Sequence, residues 1–415
     1  MLLLGASASC STGQRISAPP AGGSPVSPVV AGSEALDSGW ALETRSPIPL
    51  TARAGSTPDL AGDATARDVV ASLQSACGAA DGALVRAANV FARRLSEGKH
   101  APEPDSIALE LRKLGSPYVW PRAWALGGTS QRLASDGVLR LEDWLSSFDD
   151  GGERRCGVSW AGHEGRFIVA VVVSGVLAEL DPLPVEAPVG HWLSLEATLL
   201  VPASEAKVVL LGPSGAPRPV PTTLLGRRIR ARFALERRGR FLVQVLADVR
   251  GGPRPVLEAL VFADAEPPLQ PAPDPAPGEE ASGVPGDPTW VVLQMLNAAR
   301  RKERLPPLNR QSALDRVAQG HAEAMRDVGR LGHDIGNGNP TMRAAAAGLI
   351  LQNAGENVAH AMSLAHAHRS LYASPSHRAN MLSPGFDSVG IGVAGDGDGT
   401  VWVCQLYAQS SADVQ

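Results

Sequence analysis

Gly355-Glu356-Asn357, Ser374-Pro375-Ser376-His377-Arg378-Ala379-Asn380 and Val389-Gly390-Ile391-Gly392 succeed one another in the last third of the chain. An acid placed by a glycine is followed by a histidine behind a Ser-Pro pair, then by a glycine-punctuated strand. Ser374 suits an N-cap, and Pro375 suits the first helical position, where a missing N–H costs nothing. His377 then falls on the third helical position, at a loop-to-helix junction that can aim it into a cavity. His333, in Gly332-His333-Asp334, lies shortly upstream, and six of the nine histidines fall between His321 and His377. Metal or proton chemistry, if the chain has any, belongs here.

The flanking sequence supplies regular elements. Val291, Leu293 and Leu296 mark a helix that begins near Trp290 and yields to Leu305-Pro306-Pro307-Leu308. Ser312 caps a second helix with an apolar stripe of Leu314, Val317, Ala318, Ala322 and Met325. His321 shares that stripe and reads as a hydrogen-bonded packing residue. Residues 329–340 form a loop, and Arg343 opens a short Ala-rich helix broken at Gly348. Leu364, Ala367, Leu371 and Tyr372 mark a further helix. Strands are expected over 386–393 and 400–407. The turn between them, Gly395-Asp396-Gly397-Asp398-Gly399, is too short for a calcium-binding loop and reads as a tight hairpin.

Taken together, Leu296-Asn297-x-x-Arg300, Pro307-Leu308, Ala318-x-x-His321-x-x-x-Met325, Gly332-His333, Gly355-Glu356-Asn357, Ser374-Pro375-Ser376-His377-Arg378-x-Asn380-Met381-Leu382 and Val389-Gly390-Ile391-Gly392 resemble the CAP superfamily. That superfamily holds the cysteine-rich secretory proteins, antigen 5 and the plant pathogenesis-related proteins, with an SCP-like extracellular domain. The likeness is to its bacterial branch and covers about residues 288–410. It implies an α-β-α sandwich with a mostly antiparallel sheet, usually exported. It also implies a cleft where family members place two histidines and two acids. Here His333 matches the first histidine, Glu356 the first acid and His377 the second histidine. The second acid closes a Trp-x-x-Glu turn in the family. In this chain Leu371-Tyr372-Ala373-Ser374 stands there, and no Asp or Glu occurs between Glu356 and Asp387.

Two imidazoles and one carboxylate suit zinc or another borderline divalent ion, with positions left for water. Such an ion could activate that water, with Glu356 as base where it is not a ligand. His333, Glu356 and His377 are therefore the candidate metal ligands and the candidate catalytic residues. Yet no H-E-x-x-H helix or other hydrolase signature is present, and Glu356 reads more readily as a buried acid bonded to backbone donors and His333. His360, His366 and His368 are substitutes for the missing acid. His366 and His368 are two apart on a helix and face different ways, so at most one can serve. Ser374 is better explained as a cap than as a nucleophile, and Cys404 reads as a buried free thiol.

The rest of the chain divides by composition. With 415 residues, a prior of about 100–200 residues per domain gives two or three domains. Residues 1–10 resemble the tail of a secretory signal, with Ala6-Ser7-Ala8 suiting cleavage and Cys10 resembling a lipoprotein acylation site. No basic segment precedes the apolar run. Residues 11–62, rich in Ser, Pro, Gly and Ala, read as a disordered tether. Residues 63–175 carry helical stripes at Val69, Leu73 and Ala76, at Leu84, Ala87, Ala88, Phe91 and Leu95, at Ile107 and Leu111, and at Leu141, Trp144 and Leu145. A β-branched strand follows over 167–173. This helix-rich α+β domain repeats the order of elements in 311–408 and reads as a diverged CAP repeat without its histidines and acids; an unrelated helical domain is the alternative. Residues 176–264 switch to a period of two, as in Ile229, Ala231 and Phe233 against Arg228, Arg230 and Arg232. They read as an immunoglobulin-like β-sandwich. Residues 265–288 form a Pro-rich, acidic linker of semi-rigid polyproline character, and residues 289–410 the CAP domain.

A formal charge of −4 leaves no electrostatic footprint for nucleic acid or an anionic membrane. No segment reaches the ~18 uninterrupted apolar residues of a membrane helix. Of the four cysteines, Cys77 and Cys156 could bridge if the chain is exported. The chain is thus expected to be an exported, multidomain binding or interaction module at the cell envelope. Lipid, sterol or envelope components are the implied partners, and a lipid anchor at Cys10 is compatible with that location. The rival readings are a metal-dependent hydrolase or peptidase using the His/Glu cleft, and a structural envelope protein whose cleft is vestigial.

Overall fold

The computed structural model describes residues 10–11, 64–99, 104–148, 151–163, 166–249, 252–266, 275–351, 353–397 and 399–409. The signal-like segment and the tether otherwise lie outside the described residues. Cys10–Ser11 form a two-residue strand, β1, antiparallel to Asn357 and Glu356.

Residues 64–176 build an α-β-α unit. Its order is α1 (Ala64–Cys77), β2 (Ala79–Ala80), α2 (Gly82–Ser96), α3 (Pro104–Lys113), β3 (Arg122–Gly128), α4 (Ser130–Ser146), β4 (Glu153–His163) and β5 (Arg166–Val176). The sheet runs β2-β4-β5-β3, with β2 parallel to β4 and the other pairs antiparallel. The run over 167–173 is apolar throughout because helices cover both faces of the sheet. Val169, Val171 and Val173 join a core with α1 and α4, while Ala170 and Val172 join one with α2 and α3. A disulfide between Cys77 and Cys156 ties the end of α1 to β4.

Two sheets then close over a common core. One runs β10-β9-β13-β14-β7 and the other β11-β12-β8-β6. The strands are β6 (Ala178–Leu180), β7 (Glu186–Ala187), β8 (Trp192–Leu199), β9 (Ala203–Leu211), β10 (Arg218–Val220), β11 (Thr222–Leu225), β12 (Arg228–Ala234), β13 (Gly239–Val249) and β14 (Gly252–Ala263). The period-two reading of β12 holds, since Ile229, Ala231 and Phe233 are buried. Its arginines form the solvated face. Arg228 pairs with Asp181 and Glu196, both at 2.7 Å, and Arg232 lies over the Trp192 ring.

The C-terminal unit comprises α5 (Pro288–Lys302), β15 (Asn309–Arg310), α6 (Ser312–Val328), α7 (Pro340–Ala346), β16 (Ala354–Ala361), α8 (Leu364–Ala373), α9 (Pro375–Met381), β17 (Ser388–Gly395) and β18 (Val401–Ala408). Its sheet runs β1-β16-β18-β17-β15, with β15 parallel to β17. One face packs on α6 through Val358, Cys404 and Leu406; the other packs on α5, α8 and α9 through Ala359, Val403 and Tyr407. The linker expected over 265–288 is corrected in its second half. Ala276 is buried in this unit's core, a 3-10 turn occupies Glu279–Gly283, and Arg369 bonds Glu279 at 2.7 Å. Apolar contact and a half-buried ion pair outweigh the extended preference of the prolines there.

The two α-β-α units have the same connectivity. In each, a helix leads to a two-residue edge strand parallel to the third strand of the sheet, and the next helix starts at once. Asp81 N–H donates to Cys156 O at 2.9 Å, and Gln311 N–H to Val389 O at 3.0 Å. The residue after each acceptor is a glycine pressed against a helix. A Cβ on Gly157 would lie 2.0 Å from Leu84 C, and one on Gly390 would lie 2.2 Å from Leu314 C. Gly392 is constrained likewise, 2.3 Å from Ala318 C.

Candidate functional site

The site is assembled where α6, the following loop, α7 and β16 meet. Gly329, at φ 62°, closes α6 in the left-handed region that glycine enters without steric cost. The loop is then folded on its own donors, with Asp334 Oδ1 accepting from the N–H groups of Gly336 at 2.8 Å and Gly338 at 3.2 Å. Asn339 caps α7 by accepting from Met342 N–H at 2.9 Å. This places His333 and Arg343 on either side of Glu356.

Glu356 is 1% exposed and both carboxylate oxygens are engaged. His333 Nδ1–H donates to Oε1 at 2.8 Å. Arg343 donates from Nη2 to Oε2, and from Nη1 to the carbonyls of His333, at 2.6 Å, and Gly338. The Cys404 thiol points at Oε2 from 3.4 Å. Burial by itself pushes the carboxyl up, but the His333 hydrogen bond and charge and the Arg343 charge together hold it below the usual range. Glu356 is therefore a buried carboxylate, neutralised by the protein. Burial, and then the Glu356 charge, push the Cys404 thiol well up, so it is a donor and not a nucleophile.

His321 belongs to the same cluster. Its Nε2–H donates to Gly332 O at 2.9 Å and its Nδ1 faces the Asn337 side-chain amide at 3.3 Å. Burial lowers its pKa, against the opposing pull of Glu356, whose Oε1 is 3.9 Å from Nε2. A neutral ring with both nitrogens occupied is the packing role read from the sequence, here next to the buried acid.

His377 sits elsewhere in the hydrogen-bond network. Its Nδ1 meets Ser374 Oγ at 2.8 Å, so the serine at the cap position of α9 spends its hydroxyl on the imidazole and makes no side-chain cap. Asn357 Nδ2 donates to His377 O at 3.1 Å, and Asn380 Nδ2 to Asn357 Oδ1 at 3.0 Å and Glu356 O at 3.2 Å. These buried amides lock α9 to β16. Two of the three stand-ins for the second acid, His360 and His368, have other work, and His366 is buried on α8. His360 stacks on Trp402 at 3.9 Å and meets Thr400 Oγ1 at 2.9 Å, and His368 Nε2–H donates to Pro277 O at 2.9 Å.

The family model for the cysteine-rich secretory protein family, CAP, matches residues 293–406. Residues 293–406 are a CAP domain. The uncharacterized protein YkwD of Bacillus subtilis is 27% identical over 143 residues, 32% of this chain and 55% of that protein. The chain thus spans about half the length of the curated relative it matches. Among solved structures, an outer surface protein of Borrelia burgdorferi is similar at 18% identity and a TM-score of 0.29, over 30% of this chain and 93% of that one. An extracellular protein containing a SCP domain from Bacillus anthracis is similar at 17% identity and a TM-score of 0.28, over 57% and 86%. No helix among the described residues is long and apolar enough to cross a membrane.

Within the CAP domain the donor set does not fit a divalent ion as it stands. Among the described residues no group of three or more His, Cys, Asp or Glu side chains could hold one. Of the expected set His333, Glu356 and His377, His333 Nδ1 lies on Glu356, Arg343 takes the second oxygen, His377 Nδ1 lies on Ser374, and His333 Nε2 is buried with no hydrogen-bond partner among the described residues. Sequence reasoning missed Arg343. The available signal was a lone arginine in an Ala-rich helix between His333 and the buried acid.

Proposed function

We propose that this chain is an exported binding protein of the cell envelope whose CAP domain is a rigid ligand-presenting scaffold and not a reaction centre. The observation that carries this is Glu356, with one oxygen on His333 and the other on Arg343. A carboxylate held in that way is neutralised by its partners and organises the loop 329–340. The Cys77–Cys156 disulfide supports an oxidising compartment, since such bonds persist outside the reducing cytosol. The shared connectivity and the matched glycines Gly157 and Gly390 support reading 64–176 as a diverged CAP copy. For 176–264, an immunoglobulin-like class is supported by two sheets around one core. Cys10 is the proposed point of lipid attachment.

The test uses the full-length chain and its His333→Ala variant. Each is incubated with envelope fractions of the native host, and separately with a peptide library in the presence and absence of zinc. Retention of both proteins on the envelope without cleavage is expected. Zinc-dependent cleavage that His333→Ala abolishes would establish the hydrolase reading instead. Mass spectrometry of the mature N-terminus decides whether Cys10 is acylated.

A further inference from the structure

A cavity of about 490 Å³ lies where the three units meet, within the range of about 300–1,000 Å³ usual for ligand pockets. Trp120 reaches it from the first α-β-α unit, Gln244 from the sandwich, and Tyr372 and Arg378 from the CAP domain. The walls are tied to one another. Glu258 N–H donates to Pro117 O at 2.9 Å, between the first unit and the sandwich. Gly215 N–H donates to Glu303 Oε1 at 3.1 Å, between the sandwich and the CAP domain. Two buried polar atoms of the lining residues have no hydrogen-bond partner among the described residues. Gln244, 0% exposed, donates from Nε2 to Glu258 Oε1 at 2.6 Å, and its Oε1 is an acceptor without a donor. Arg378, 5% exposed, donates from Nη2 to the Tyr372 hydroxyl at 2.8 Å, and its Nε is a donor without an acceptor. Folded proteins leave few buried polar groups unmet, because each has given up its hydration and gained no partner.

This pair narrows the occupant by hydrogen-bond type, whatever the charge of the wall. An ionised carboxylate can accept from Arg378 Nε but has no hydrogen for Gln244 Oε1, and an ammonium can donate to Gln244 but accepts nothing. A secondary amide does both. Its N–H and C=O point in opposite directions, which suits an acceptor and a donor that stand on different units. The rest of the wall favours a ring. Trp120 is held at φ 52°, with the Arg254 guanidinium 4.4 Å from its ring centre. A bulky residue in the left-handed region is strained, and such strain clusters at ligand clamps. Leu242 and Leu260 add apolar wall. A pyranose ring offers a face of C–H groups to an aromatic side chain and keeps its hydroxyls on the rim.

We infer that this cavity binds an N-acetylated amino sugar of an envelope glycan. The acetamido C=O accepts from Arg378 Nε, its N–H donates to Gln244 Oε1, and the pyranose ring lies against Trp120. The inference rests on the binding-protein reading and deepens it by naming a site and a ligand class.

Calorimetric titration of the full chain tests it with three probes. They are N,N′-diacetylchitobiose; cellobiose, which carries a hydroxyl in place of each acetamido group; and N-acetyl-alanyl-alanine amide, which carries the amide without the sugar. Diacetylchitobiose is expected to bind once per chain, at least about tenfold tighter than either of the others. Ala373→Trp, which fills the cavity from an exposed helix end, is expected to weaken that binding at least about tenfold at an unchanged melting temperature. Trp120→Gly removes the ring at a φ that glycine adopts freely, and is expected to weaken it by a similar factor. No binding of diacetylchitobiose, equal binding of cellobiose, tighter binding of the peptide, or affinities unchanged in both variants would overturn the proposal. If diacetylchitobiose fails while the chain is still retained on envelope fractions, the cavity assignment falls and the binding-protein reading stands.

Discussion

Arg343 and Glu356 form a buried ion pair between α7 and β16, and the same guanidinium holds the carbonyls of His333 and Gly338. One side chain thus neutralises the acid and closes the loop that carries His333. Removing one partner of a buried pair costs about 3–5 kcal/mol, because the other is left charged and unpaired. Arg343→Met is expected to destabilise the CAP domain by that amount, read as a shift in the denaturant midpoint. The double variant Arg343→Met with Glu356→Gln should recover part of the loss. A loss below about 1 kcal/mol in the single variant would mean that solvent reaches the pair.

Acid should destabilise the chain in two separable windows. Burial drives the pKa of His368 down to about 4, while its ordinary value is 6.5. The folded state therefore binds fewer protons than the unfolded state, and stability present above pH 6.5 is lost as pH falls towards about 4. Glu356 is also held low, so its contribution is present above its ordinary 4.5 and is lost only below that. His368→Gln keeps a donor for Pro277 O and should reduce the slope in the upper window, to which the lowered His321 also contributes, while leaving the lower one. Denaturant midpoints measured from pH 7 to pH 3 check this; an unchanged slope above pH 4.5 in the variant would refute the assignment.

The strands missed in the sequence share one physical cause. β16 reads Ala-Gly-Glu-Asn-Val-Ala-His-Ala with a single β-branched residue, and β3 reads Arg-Ala-Trp-Ala-Leu-Gly-Gly with none. Neither has local strand preference, and each is a strand because its neighbour, β18 or β5, supplies a full antiparallel ladder. By contrast, the helical stripe of α6 and the alternation of β12 were legible, since burial on one face writes itself into the period. His333 beside Glu356 was legible from the motif. Arg343 was not, because its role depends on a loop that folds back over ten residues and leaves no periodic trace. Ser374 was half legible: its position at the head of α9 was, and its bond to His377 was not.

The disulfide should carry much of the first unit's stability. It closes a separation of 79 residues between Cys77 and Cys156, for which chain entropy gives roughly 4–5 kcal/mol. Cys77→Ala with Cys156→Ala is expected to lower the unfolding free energy of that unit by about 2–5 kcal/mol. The CAP domain, whose Cys404 is a buried free thiol, should be unaffected. Native-state hydrogen exchange, resolved by residue, separates the two. Loss of protection in β16–β18 equal to that in β4–β5 would show that the units unfold together.

The matched glycines make the most direct test of whether the two α-β-α units are built alike. Gly157 and Gly390 each stand where an added Cβ would meet helix backbone, the carbonyl carbon of Leu84 or of Leu314. Backbone cannot rotate away as a flexible side chain can, so the whole helix must lift from the sheet. Overpacking of this kind costs about 1–3 kcal/mol and sometimes more. Gly157→Ala and Gly390→Ala should therefore each destabilise their own unit by about 3 kcal/mol. Gly320→Ala is the control, because Gly320 lies within α6 with open space around it. There the change should stabilise by about 0.5–1 kcal/mol, through helix propensity alone. A mild effect at Gly157 with a severe one at Gly390 would mean that α2 and α6 seat differently on their sheets, and would count against descent of 64–176 from a CAP copy.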